Sequence, residues 1–255
     1  MVERHTEIEE TTLGQIISRD YRKSRVLTRF GVDFSCGGGQ TLDQALGGHT
    51  KELQDVLQEW QQIDGAAPER KMDFLGWDMA FLANYIIQLH HRFVGTQTRF
   101  VTELAFKVAN SNSTRHPDMK AVADIFAAAG GKLELKGKQE EKELFPYIMA
   151  LEEARSNGGA LQAASFGSVS VPITAVKSEG EQIVAALKQI RSLTKNYVPP
   201  AYTTSTCPIL YKLLEAYEED ALLHLHLENN ILFPKAIQTE QSLWSKGQII
   251  QTEFN

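Results

Sequence analysis

The stretch Leu222-Leu223-His224-Leu225-His226-Leu227-Glu228-Asn229-Asn230-Ile231-Leu232-Phe233-Pro234 reads as a helix that carries His224 and Glu228 one turn apart on the same face. An imidazole and a carboxylate at that spacing form half of a metal site when a second helix supplies the other half. The chain contains an echo of this stretch, Lys136-Gly137-Lys138-Gln139-Glu140-Glu141-Lys142-Glu143-Leu144-Phe145-Pro146. A shift of 88 residues sets Lys136 on His224, Glu140 on Glu228, and Leu144-Phe145-Pro146 on Leu232-Phe233-Pro234. The fold is therefore expected to repeat itself, with a lysine in one copy where the other carries a ligand histidine.

Outward from this pair, the pattern is helical from Phe74 nearly to the C-terminus. Segment one spans Phe81 to about Val108 and holds Tyr85, Ile86, Leu89, His90-His91 and Phe93. Turn-forming residues Asn110 to Pro117 end it. Segment two runs from about Met119 to Arg155, with disturbances expected at Gly130-Gly131 and Gly137. The Gly-, Ser- and Ala-rich stretch Ser156 to Ser170 divides the repeats. Segment three opens near Pro172 and ends near Asn196, ahead of Pro199-Pro200; segment four runs from about Pro208 to Asn230, and Pro234 marks a kink or exit. Strand signals are absent. Four long helices with mostly short connections predict an all-α, antiparallel four-helix bundle over residues 67–255.

Residues 1–66 read as a small helical N-terminal domain. Thr11 to Phe30 is expected as one helix with Gly31 as its stop. The loop Val32-Asp33-Phe34-Ser35-Cys36-Gly37-Gly38-Gly39-Gln40 follows, and Thr41 opens a short helix with Gln44 as its capping-box partner. A further helix covers Lys51 to Ile63, and Asp64 to Glu69 reads as a linker.

The two helical hairpins place a carboxylate from each copy in the core. If segment one contributes His91, the matching position of segment three is near Gly180, an offset of 89. A complete site would show one histidine on segments one and three and a His-x-x-x-Glu pair on two and four. The chain has His91, Glu140, His224 and Glu228 as candidate metal ligands, with Lys136 and Gly180 at the other two places.

These residues resemble, along nearly the whole chain, the ScdA/YtfE (RIC) family of di-iron proteins of iron–sulfur cluster repair. Phe34-Ser35-Cys36-Gly37-Gly38-Gly39-Gln40-Thr41-Leu42 is similar to that family's N-terminal signature. Asn84-Tyr85-Ile86-Ile87-Gln88-Leu89-His90-His91 is similar to the first ligand helix of its haemerythrin-like bundle, and Leu227 to Pro234 to the last. The resemblance implies an iron cofactor and a role in restoring clusters damaged by nitric oxide or oxidants, with iron–sulfur client proteins as partners. It also marks the departures. Ser35 stands where the family has a second cysteine, Lys136 and Gly180 replace ligand histidines, and Asn112 replaces a further histidine.

The surviving set suits one Fe(II), Mn(II) or Zn(II) ion, or a metal-free core in which the Lys136 ammonium neutralises the buried glutamates, rather than a full di-iron centre. A third arrangement leaves Lys136 in water and the site decayed. Cys36, ahead of the helix opened by Thr41, is the candidate reactive thiol, able to ligate iron, react with nitric oxide or join two chains as a homodimer. His90 is expected on the surface or behind the ligands. His226 is expected opposite His224, His49 and His116 in exposed loops, Glu141 and Glu143 in solvent, and Cys207 as a structural thiol.

Composition narrows the classes further. At 255 residues with 42% hydrophobic and 23% charged residues the chain reads as a soluble globular protein. Its net charge of −6 argues against nucleic acid or an anionic membrane as a partner. The two cysteines make no disulfide framework and no secretory signal is evident, so a reducing cytoplasm is expected. No nucleophile–base set, phosphate loop or nucleotide fingerprint is present. Two functions remain: an iron-binding repair protein rather than a turnover enzyme, or a binding or regulatory paralogue that keeps the fold without di-iron chemistry.

Overall fold

The computed structural model describes residues 10–66 and 73–250. By internal contacts the chain divides into two units, Met1–Asp78 with Leu225–Lys235, and Met79–His224 with Ala236–Asn255.

In the first unit the helix expected over Thr11–Phe30 is broken. Helix α1, Leu13–Arg19, opens on a Thr12–Gln15 capping box, and α2 follows at Ser24–Arg29. Between them Asp20 is extended, and its carboxylate takes the Arg22 backbone N–H and guanidinium, which supports the 3-10 turn Tyr21–Lys23. A short polar side chain that bonds its own backbone competes with the helix in this way. Gly31, at φ 70°, closes α2 as expected. Helix α3, Leu42–Ala45, has the predicted Thr41–Gln44 box, and α4 covers Thr50–Gly65. The expected linker is still helical at Asp64 and Gly65, and its Ala67–Glu69 part lies outside the described residues. Leu13, Ile17, Leu27, Phe34, Val56 and Trp60 are buried as the unit's apolar core.

The second unit holds the long helices. Helix α5, Met79–Tyr85, continues through a π-turn at Ile86–His91 into α6, Arg92–Asn112. Helix α7, Asp118–Gln139, passes through a second π-turn, Glu140–Leu144, into α8, Phe145–Asn157. Helix α9 is Ser170–Leu193. Helix α10, Cys207–Leu227, runs through a third π-turn, Glu228–Leu232, into α11, Phe233–Ser245, and the Leu225–Lys235 part of this run is counted with the first unit. Helix α7 packs against both α6 and α9, and α5 against α8. Val101, Phe126, Leu133, Leu187, Leu214 and Tyr217 are among the residues that fill the bundle core.

The glycines of segment two do not disturb it. Gly130 lies where a Cβ would sit 2.9 Å from Thr98 Cγ2, so its smallness admits the neighbouring helix and outweighs its weak helix propensity. Pro146 and Pro234 do not end their helices either. Each follows a π-turn in which the N–H of Phe145 or Phe233 bonds the carbonyl of Glu140 or Glu228, five residues back. A proline lacks the next N–H and crowds the carbonyl four residues before it, and the wider turn accommodates both. One paired segment was absent from the sequence reading. Leu161–Gln162 (β1) and Ile249–Ile250 (β2) form a two-residue parallel pair, too short to show alternation.

Candidate metal centre

His91 closes the first π-turn and is buried. Its Nδ1 lies 2.8 Å from Glu141 Oε1, and its Nε2 lies 3.1 Å from His224 Nε2 and 3.7 Å from Glu140 Oε2. The ring stacks on Phe145, with centroids 5.5 Å apart. It is backed by Gly137, where a Cβ would come within 3.2 Å of the ring. The glycine that was expected to loosen helix α7 instead makes room for the imidazole. Because the Glu141 carboxylate accepts from Nδ1–H, Nε2 carries the lone pair and faces inward.

Glu140 opens the second π-turn and Glu228 the third. Glu140, His224 and Glu228 have no solvent exposure. One donor atom from each of His91, Glu140, His224 and Glu228 lies within 4.8 Å of every other. The structure thus brings together the four residues that the sequence singled out. Two nitrogens bound at about 2.1 Å to one ion stand roughly 3 Å apart when they meet it near a right angle, so the 3.1 Å between the imidazoles matches a shared ion. The residues present fit a divalent metal.

Lys136 does not point to water. It has no solvent exposure, and its Nζ donates to Glu140 Oε1 at 2.5 Å. An ammonium offers three donors and no lone pair, so it balances carboxylate charge and does not ligate. Gly180 is buried in α9.

The remaining sequence candidates fall as follows. His90 is not at the surface. It is buried, its Nδ1 lies 2.9 Å from Asp220 Oδ1, and its ring lies nearly parallel to that of His224 at 5.7 Å. His226 is buried among Tyr21, Phe34 and Ser18, and burial pushes its pKa down to about 4. Since Ser18 Oγ donates to Gly14 O, it accepts from His226 Nε2, while Asn230 Nδ2 lies 3.0 Å from Nδ1. His49 is exposed, and His116 is half-buried with Nε2 3.1 Å from Ala201 O. Glu143 is exposed, but Glu141, also in large part exposed, holds His91. The sequence reading missed Glu141 because a carboxylate beside a candidate ligand looks like part of a charged helix face.

Cys36 is half-buried in its loop, and Cys207 is buried, with burial raising its pKa. The helix-dipole argument for Cys36 does not hold, since α3 has only four residues. Its surroundings are instead the Asp33 carboxylate, which accepts from Cys36 N at 3.1 Å, and the Asn229 amide, whose Nδ2 lies 3.5 Å from Sγ. Asn112 donates to Val108 O and Thr204 Oγ1 and does not join the cluster.

Comparison with known proteins agrees with this layout. Residues 9–64 match the ScdA_N domain, described as a domain of unknown function, and residues 82–236 match the hemerythrin HHE cation binding domain. The iron-sulfur cluster repair protein YtfE of Musicola paradisiaca is 29% identical over 234 residues, covering 91% of this chain and 98% of that one. YtfE of Edwardsiella ictaluri is 27% identical over 225 residues, covering 88% and 96%. The chain belongs to the hemerythrin HHE cation-binding family, in the form that carries an ScdA_N domain and that it shares along most of its length with the YtfE proteins.

Proposed function

We propose that the chain is an iron–sulfur cluster repair protein of nitrosative and oxidative stress whose bundle holds one iron ion at His91, Glu140, His224 and Glu228. In this reading the Lys136 ammonium supplies the positive charge that a second ion would bring. The observation that carries it is the His91–Glu141 pair: a carboxylate on Nδ1 fixes the tautomer that turns a lone pair on Nε2 toward three other buried donors. The ion, when bound, supplies labile iron for a damaged cluster. Glu141 holds the ring, Gly137 and Phe145 set its plane, and Lys136 balances Glu140. The N-terminal loop with Cys36 is the part that meets the client, in the cytoplasm.

The buried Lys136–Glu140 pair favours a second reading, a metal-free binding or regulatory paralogue, because it satisfies one carboxylate without an ion. Anaerobic loading with Fe(II), followed by gel filtration and metal counting, separates the two. One iron per chain, lost in His224→Ala, is expected. Two irons per chain would overturn the mononuclear reading, and none would leave the paralogue.

A further inference from the structure

Glu228 opens the third π-turn, and the next two residues of that turn put their amides on the glycine loop. Asn230 Nδ2 donates to Phe34 O and Ser35 O, both at 3.1 Å. Asn229 Nδ2 donates to Ser35 O at 3.3 Å and lies 3.5 Å from Cys36 Sγ. The loop is framed from its own side as well. Asp33 Oδ1 accepts from the backbone N–H groups of Ser35 and Cys36 and from Ser35 Oγ. Gly14 and Gly38 press on the Asn230 amide so closely that a Cβ at either would collide with it. Four amide contacts thus tie the loop to the turn that bears Glu228.

Asn229 differs from Asn230 in one respect. It is 6% exposed, and its Oδ1 accepts no hydrogen bond among the described residues. A buried acceptor left unfilled is costly. An amide kept for the loop alone would be better satisfied.

We infer that Asn229 is a positioning residue that couples Cys36 to Glu228. An ion held through Glu228 fixes the turn and slows reaction of the thiol, and a group carried on Cys36 weakens binding of the ion. The inference rests on the metal reading above. Its test is the rate at which iodoacetamide alkylates Cys36, the thiolate displacing iodide, read by mass spectrometry of the Cys36 peptide. The full-length protein is compared with and without Fe(II) under anaerobic conditions, and bound iron is counted in the same samples. Buried Cys207 reports that the fold is intact.

Bound iron should slow alkylation about fivefold, the low end of ordinary coupling. In Asn229→Leu, and in Asn229→Ala as a second variant, the rate should be the same with iron and without. Wild-type protein already alkylated at Cys36 should bind iron about fivefold more weakly. An unchanged rate in wild-type protein that has demonstrably bound iron overturns the coupling and leaves the metal reading intact. Full protection persisting in both Asn229 variants overturns the role of Asn229 and points to direct ligation by sulfur. Absence of bound iron defeats the metal reading, and the coupling with it.

Discussion

Two side chains decide what the centre is: a buried Lys136 was one of three arrangements open from the sequence, and the role of Glu141 was not visible there. A lysine has a stem long enough to reach either solvent or core, so its type alone leaves its direction open. Here Lys136 and Glu140 are a fully buried pair. Lys136→Met removes the ammonium and leaves a buried carboxylate without its charge. In metal-free protein this should cost about 3–5 kcal/mol. For a chain of this size that lowers Tm by roughly 10 °C, and Fe(II) should restore most of it. Thermal unfolding of the parent and of Lys136→Met with and without iron measures this, and an unchanged metal-free Tm would show that the pair does not stabilise the core. Glu141 makes the opposite case. It is 42% exposed at the side chain, so Glu141→Ala should change stability by less than about 1 kcal/mol. The same variant should weaken iron binding by about 10–100-fold, because His91 loses the group that orients it. A competition titration against a chelator reads that affinity, and wild-type affinity would remove Glu141 from the site.

At the scale of elements, the donors and the irregular turns coincide. His91, Glu140 and Glu228 each sit at the edge of a π-turn, and His224 lies one turn before the third. Helix α9, which has Gly180 where a ligand histidine was expected, has no such turn. A π-turn offsets the following helix by one residue, or about 100° of azimuth, so it re-aims side chains without breaking the helix. Helical periodicity gave the long segments correctly because their apolar stripes extend over many turns. It could not give the π-turns, because one extra residue in a single turn barely alters that stripe. The signal that could have been used was the repeated Leu-Phe-Pro. Pro146→Ala restores an N–H at that position and lets the turn relax to the regular register. Iron affinity should then fall about tenfold or more while stability changes by under about 1 kcal/mol, as read by titration and thermal unfolding. Unchanged affinity would mean that the proline does not set the turn.

For the whole molecule, the repeat read from sequence reappears as geometry. The π-turns that begin at Glu140 and Glu228 are 88 residues apart, the same shift that aligned the two Leu-Phe-Pro stretches. Convergence of four donors was legible because a repeated hairpin brings equivalent faces to a common core. The loop contacts of Asn229 and Asn230 were not, since nothing in a helical pattern says which distant loop a polar side chain will meet. The departures from the repeat, Lys136 and Gly180, then become a test of whether the bundle can hold a second ion. Lys136→His returns an imidazole one turn before Glu140, mirroring His224 and Glu228, and Gly180→His returns one on α9. If the helices have kept their places, the double variant should hold two irons per chain, one more than the reading proposed for the parent, with the absorption of a coupled pair. Lys136→His alone should fall short of two, because α9 still contributes no donor. A double variant that keeps its helicity yet binds one iron would show that the packing around α9, and not only its ligand, has diverged from the two-ion arrangement.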